Sequence, residues 1–371
     1  MSDPVLPDYG NRTLTELLPA IGHHLGVPGA ADRLGLPAAA GYVVLLVDGL
    51  GWHQREHWAG VAPFLTELVA DATTLSSGVP STTATSLTSL GTGLAPGQHG
   101  IAGYSFRYPP TGRVLNPLQW PAGVHPLDVQ PQLTYLERLA GAGIRTATVA
   151  PARFAASGLT TVALRDATFI GVIDEEDHPR RVEQIADAAG GGAMVYAYER
   201  ALDHTGHSHG VGSRAWLTAL ERCDVLAREL RDALPDEVRL VITGDHGMVN
   251  VPRNRRLIVE NEPGLLDGVT LFAGEGRLRQ LYTAPGQGEA VLLRWRERLG
   301  ERAWVLSRDE ACAAGWFGPV NPRLAERFGD VLVAMRDDRA VMSRRLSKEL
   351  TLVGMHGSLT PDELIVPLLV C

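Results

Sequence analysis

Cysteine is scarce in this 371-residue chain. Cys223, Cys312 and Cys371 are odd in number, widely spaced and without a C-x-x-C partner, which excludes a disulfide framework or a cysteine-rich metal site. They read as free thiols in a reducing compartment. Long apolar runs are missing too, none approaching the ~18 residues that a membrane-spanning helix needs. The amino terminus, MSDPVLPDYGNRTLTELLPAIGHHLG, has acidic residues and a proline where a secretory leader would carry a basic stretch and then an apolar one. A cytoplasmic protein without membrane association is the expectation. Positive charge is in deficit: 34 Lys and Arg stand against 42 Asp and Glu, a net charge of −8, and the basic residues form no run. No footprint for a nucleic acid polymer is therefore visible. There is also no internal repeat and no low-complexity tract.

What is present is a series of buried-strand patterns. Tyr42–Val47 is a continuous apolar run ending in Asp48-Gly49, and similar runs recur at Arg145–Ala150, Ala193–Tyr198, Val238–Thr243 and Glu363–Val370. Between them the apolar spacing predicts helices over Thr13–Leu25, Val61–Ala70, Gln132–Ala142, Arg180–Ala189 and Ser213–Leu234. Strands alternating with helices predict an α/β fold with a mostly parallel central sheet and helices on both faces. Residues 251–347 differ: they are rich in Arg, Glu and Gly and hold short strand-like pieces at Arg279–Thr283, Ala303–Leu306 and Val331–Met335 and a helical piece at Ala290–Leu299. The expected division is a catalytic α/β domain from 1–250 and 348–371, with 251–347 inserted as a small α+β subdomain.

Ligands in parallel sheets sit beyond the carboxyl ends of the strands, and the metal-type side chains cluster there. Asp203-His204-Thr205-Gly206-His207 spaces a carboxylate and an imidazole four apart, on one side of a helical turn. Gly206 would let the backbone approach a bound ion. Gly244-Asp245-His246-Gly247-Met248 follows a strong strand, and His356 lies between Met355 and Gly357. Carboxylate and imidazole together suit zinc, and two such ions can clamp both sides of a displacement at phosphorus. Singly, each string has a plain alternative: an exposed His-rich loop, an ordinary turn, an incidental histidine or, for Asp48, a helix cap. Gly78–Gly93 offers hydroxyls at a helix start, where free N–H groups favour an anion. A hydroxyl ionised beside a metal could attack phosphorus there, and Thr83 is the candidate. Capping by Ser81, Thr82 or Thr83 is the alternative.

Taken in order, these motifs resemble the alkaline phosphatase superfamily: Asp48 after a strand, Pro80-Ser81-Thr82-Thr83, Gly91-Thr92-Gly93, Pro96-Gly97-Gln98-His99-Gly100-Ile101, Asp203 to His207, Asp245-His246 and Met355-His356-Gly357. Within it the chain is most similar to the nucleotide pyrophosphatase/phosphodiesterase branch. The resemblance implies one divalent ion held by Asp48, Asp245, His246 and the Thr83 hydroxyl, and a second held by Asp203, His207 and His356. It implies zinc first, with manganese or iron as alternatives, and a small-molecule phosphate ester as substrate. The implied reaction is hydrolysis of a phosphate diester through Thr83 as nucleophile.

One position departs from the pattern. After His99-Gly100-Ile101 the family places an asparagine that holds a phosphoryl oxygen, and here Tyr104 stands there, with Asn116 or Gln119 as stand-ins. A phosphomonoesterase or phosphonate hydrolase on the same scaffold is the alternative reading, and a cation near the phosphoryl group would favour it. Arg107 is the nearest in sequence. A mutase of the superfamily, or a binding protein that has lost catalysis, are further rivals, and no ligand position is missing to support the latter.

Overall fold

In the computed structural model, which describes residues 3–371, seven strands form one sheet: β1 (Gly41–Val47), β2 (Thr73–Ser76), β3 (Thr146–Pro151), β4 (Thr168–Val172), β5 (Met194–Glu199), β6 (Val238–Thr243) and, at the end of the chain, Ile365–Val370. The spatial order is β2, Ile365–Val370, β6, β1, β5, β3, β4. The five strands from β6 to β4 run parallel, while Ile365–Val370 is antiparallel to both its neighbours.

β1 is buried at all seven positions, as a central strand of a sheet covered on both faces should be. Its side chains alternate between two cores. Tyr42, Val44 and Leu46 face helices α1 (Leu17–His24), α3 (Thr83–Thr92), α4 (Tyr135–Gly141) and α5 (Gly158–Leu164). Val43, Leu45 and Val47 face α2 (Pro63–Leu68), α6 (His178–Ala189) and α8 (Arg214–Ala233). Helix starts follow side-chain caps: Ser157, Asp177 and Ser213 accept from Thr160, Arg180 and Trp216 N–H groups, and Thr134 with Glu137 forms a capping box.

Sequence and structure differ at the sheet edges. β2 and β4 were not anticipated, because edge strands are half exposed and carry little apolar signal. The helix expected over Val61–Ala70 is shorter, starting at Pro63, which occupies the first helical turn. The helix expected from Thr13 begins as a short 3-10 turn before α1.

Within residues 251–347 a separate antiparallel sheet forms, ordered β7 (Val269–Glu275), β8 (Leu278–Thr283), β10 (Val331–Met335), β9 (Ala303–Ser307). Helix α9 (Gly288–Leu299) covers it, with Trp295, Leu281 and Val333 in its own core. A buried ion pair ties this sheet to the carboxyl-terminal segment: Arg277 Nε and Nη2 reach Glu363 Oε1 and Oε2 at 2.9 and 2.6 Å. Among the described residues no helix is long and apolar enough to cross a membrane.

Candidate metal centre

Three neighbouring strands end at one place. β6, β1 and β5 lie side by side, so Asp245 and His246, Asp48, and the helix α7 (Ala201–His209) that follows β5 converge at their carboxyl ends. α7 puts Asp203 and His207 one turn apart, with His207 Nε2 3.4 Å from Asp203 Oδ1. The Gly354–Gly357 loop adds His356. Two groups of three ligand atoms result, Asp48/Asp245/His246 and Asp203/His207/His356, each with its atoms within 4.8 Å of one another. The groups adjoin, since the His246 and His356 rings stack 3.6 Å apart at 13°.

All three imidazoles are oriented by backbone. Nδ1 of His207, His246 and His356 lies 2.8, 2.9 and 2.9 Å from the carbonyls of Gly354, Gly247 and Ser81. Donating from Nδ1–H leaves each Nε2 lone pair facing its carboxylate partners, as a metal-binding histidine requires. Asp48 is oriented similarly, because the Tyr198 hydroxyl donates to its Oδ2.

The donor set fits divalent cations. Asp48 Oδ1, Asp203 Oδ1 and Asp245 Oδ2 are buried without a hydrogen-bond partner, a costly state for a carboxylate unless an ion is present. Burial, then the charges of Asp245 and Asp203, push the Asp48 carboxyl well above its usual range. Burial, then His246 and His207, push His356 well below the ordinary imidazole value. A bound dication removes the first penalty and favours the neutral imidazole that the second already imposes.

Thr83 opens α3 at the edge of this cluster, its Oγ1 3.2 Å from His246 Nε2. The capping alternative fails. Thr82, at the N-cap, makes no side-chain cap and bonds Glu275 instead, while Ser81 Oγ donates to the Ser358 carbonyl at 2.7 Å. The hydroxyl that faces the ligands is therefore that of Thr83.

The sequence matches the profile described as type I phosphodiesterase / nucleotide pyrophosphatase over residues 42–359. The chain belongs to that family. It lies in the alkaline phosphatase superfamily, and it is a phosphoric ester hydrolase by family. No curated protein matches the sequence itself. Among solved structures, murine ectonucleotide pyrophosphatase/phosphodiesterase 5 is similar at TM-score 0.70 and 15% identity, covering 88% of this chain and 87% of that one. An inactive form of the same murine protein in complex with AMP aligns at TM-score 0.70 and 16% identity over the same shares. Phosphonoacetate hydrolase from Sinorhizobium meliloti, in complex with phosphonoformate, aligns at TM-score 0.68 and 19% identity over 90% of each chain. These likenesses establish the fold: an α/β protein with a mostly parallel sheet flanked by helices.

Against this family pattern, several side chains have roles the sequence did not show. Tyr104 lines the cleft, and Asn116 does not; Asn116 bonds the Tyr104 side chain and accepts from Leu118 N–H at 2.9 Å. Burial raises the Tyr104 phenol, so it stays a neutral donor. Arg107 points elsewhere, its guanidinium 4.9 Å over the Tyr282 ring. The cations that do line the cleft are Arg200 and Lys348. Gly206 is tightly packed, since a Cβ there would meet Met248 Sδ at 2.4 Å. Gly357, at φ +128°, lets Glu275 pass with its Cγ 2.7 Å from where a Cβ would stand. Glu275 itself, from β7, was missed. It is buried, lies 3.6 Å from His356 Nδ1 and is pushed well above the carboxylate range by burial and then Glu349. Tyr198 was missed as well, although its alternation with Tyr196 on a buried strand was a readable sign.

Proposed function

We propose that the protein hydrolyses phosphate diesters through Thr83 in a two-metal cleft, zinc being the first choice of ion. The observation that carries this is the Thr83 hydroxyl, at a helix amino terminus and 3.2 Å from His246 Nε2, beside two adjoining triads whose buried carboxylate oxygens lack partners. Asp48, Asp245, His246 and Thr83 would hold one ion, and Asp203, His207 and His356 the other. When bound, such ions supply Lewis-acid polarisation and lower the pKa of oxygens next to them.

The chain's own residues do the rest. The Thr83 hydroxyl gives up its proton and bonds to phosphorus, displacing one ester oxygen, which leaves as an alcohol after taking up a proton. Water then cleaves the threonine phosphoester and restores the hydroxyl. The amino terminus of α3 presents N–H groups to the non-bridging oxygens, and the Tyr104 phenol donates where the family usually uses an amide. Residues 251–347, read as an inserted subdomain, contribute Glu275 and Gly276 to the cleft wall. The three free cysteines support a reducing, cytoplasmic setting.

A second reading, monoester or phosphonate hydrolysis, rests on Arg200 and Lys348 in the cleft, because an extra substrate charge would find a cation there. The kcat/KM ratio for bis-p-nitrophenyl phosphate over p-nitrophenyl phosphate, with zinc-reconstituted enzyme, separates the two: well above one for the diesterase, below one for the alternative. Thr83→Ala is expected to lower kcat by about a thousandfold or more while bound zinc stays near the wild-type amount. Retained turnover would remove Thr83 from the nucleophile's role.

A further inference from the structure

The turn that leads into Thr83 is held from two sides. Residues 77–82 connect β2 to α3, and Ser81 binds this turn to the His356 loop three times. Its N–H donates to the Gly357 carbonyl at 3.2 Å, its Oγ to the Ser358 carbonyl at 2.7 Å, and its own carbonyl lies 2.9 Å from His356 Nδ1. The other side meets residues 5–13. Val5 N–H donates to the Leu359 carbonyl at 3.0 Å, and the Arg12 carbonyl accepts from Ser76 N–H at 2.9 Å. Between these two ties stands Tyr9, whose hydroxyl accepts from Val79 N–H at 3.2 Å and donates to the Trp316 carbonyl at 3.1 Å, filling both roles of a phenol. Val79 is fully buried, and a buried backbone N–H that loses its partner must shift or open toward water. The segment around Tyr9 is itself fixed. Glu16 accepts from the Gly10 and Thr13 N–H groups at 3.0 and 2.8 Å, and Gly318, at φ +65°, leaves room for the ring, with Tyr9 Cδ2 3.1 Å from where a Cβ would stand.

We infer that Tyr9 is a positioning residue for the reaction: its hydroxyl fixes Val79 and, through Pro80 and Ser81, sets where the Thr83 hydroxyl stands relative to His246 and His356. The inference rests on the reading of Thr83 as nucleophile. Tyr9 is not among the residues that line the cleft, so it touches no substrate and acts only through the turn. Its segment also precedes residues 42–359, the stretch that the family profile matches. A displacement of about 1 Å at a reacting atom can cost about a hundredfold in rate, which gives a bond four residues before the nucleophile its leverage. The same hydroxyl ties the turn to residues 251–347 through Trp316, so three parts of the chain meet at one phenol.

The test is Tyr9→Phe, which removes the hydroxyl and keeps the ring. With zinc-reconstituted enzyme and the better of the two p-nitrophenyl esters, kcat is expected to fall about tenfold, while KM and zinc content stay near those of the parent. Deuterium exchange, read by mass spectrometry on the metal-free protein, should rise in the peptide spanning 77–83 and not elsewhere in the sheet. The matched control is Tyr42→Phe. It removes another phenol that donates to a backbone carbonyl, that of Pro37 at 2.6 Å, and should leave both kcat and the 77–83 peptide unchanged. A Tyr9→Phe enzyme with a lower Tm and an unchanged kcat, the mark of a purely structural bond, would overturn the proposal, as would unaltered exchange in 77–83 or an equal loss of kcat in Tyr42→Phe. Thr83→Ala keeps the two readings apart. Full turnover in Thr83→Ala removes the nucleophile, whereas full kcat in Tyr9→Phe beside an inactive Thr83→Ala removes only the positioning role.

Discussion

The two candidate ligand triads are built from different kinds of element. Asp48, Asp245 and His246 stand at the ends of adjacent central strands, with side chains 5%, 0% and 0% exposed. Asp203 and His207 ride on a helix, 15% and 24% exposed, and His356 on a loop. A strand-end triad is held by the sheet's hydrogen bonds and by both cores. A helix-and-loop triad can relax toward solvent. The first therefore concentrates repulsion that a proton or a cation must relieve, while the second trades some confinement for access. The contrast predicts unequal hold on the two ions.

The largest test removes one imidazole from each triad. His246→Ala and His207→Ala should each cost about a thousandfold or more in kcat, yet differ in metal content. His207→Ala is expected to keep close to one ion per chain, and His246→Ala, whose ring also stacks on His356, to lose more than one. Elemental analysis after dialysis decides it, and identical losses would erase the distinction. A smaller effect isolates the orienting hydroxyl. Tyr198→Phe removes the hydrogen bond to Asp48 Oδ2 and should weaken the tighter ion by about 10- to 100-fold, with the other unchanged in a competitive chelator titration.

The smallest effect lies in stability without metal. Asp48 has its pKa raised in the folded protein by burial and by Asp245 and Asp203, so the folded state binds more protons than the unfolded one. Its contribution is present below the unfolded carboxylate pKa and is lost as pH rises through the folded value. Asp48→Asn should therefore stabilise the metal-free protein at pH 7 by on the order of 1 kcal/mol, about 2 °C in Tm, with little gain near pH 4. A metal-free variant no more stable at pH 7 than the parent would show that the strand-end triad carries no such strain.

The two triads also differ in how far they could be read beforehand. Asp48 and Asp245-His246 follow apolar runs that the structure reproduces as β1 (Gly41–Val47) and β6 (Val238–Thr243), because a buried parallel strand is a local pattern and its carboxyl end is where a site forms. Asp203 and His207 share a helical face through a spacing of four, also local. His356 was a candidate from its glycine-flanked position, with an incidental histidine as the alternative, since nothing in a glycine loop says which cleft it enters. Glu275 was not legible at all: its strand, Val269–Glu275, breaks the apolar alternation, and its carboxylate reaches His356 from 81 positions away. Arg107 was suspected from proximity in sequence, and the fold turned it onto Tyr282.

By itself the sequence determined the central strands, most of the covering helices and the candidate donor residues that follow them, because hydrophobic periodicity and strand-end placement act over a handful of residues. Only the tertiary structure decided which hydroxyl faces the candidate ligands and which carbonyls orient His207 and His356. Those contacts join residues more than a hundred positions apart, and no pattern local to either partner records them.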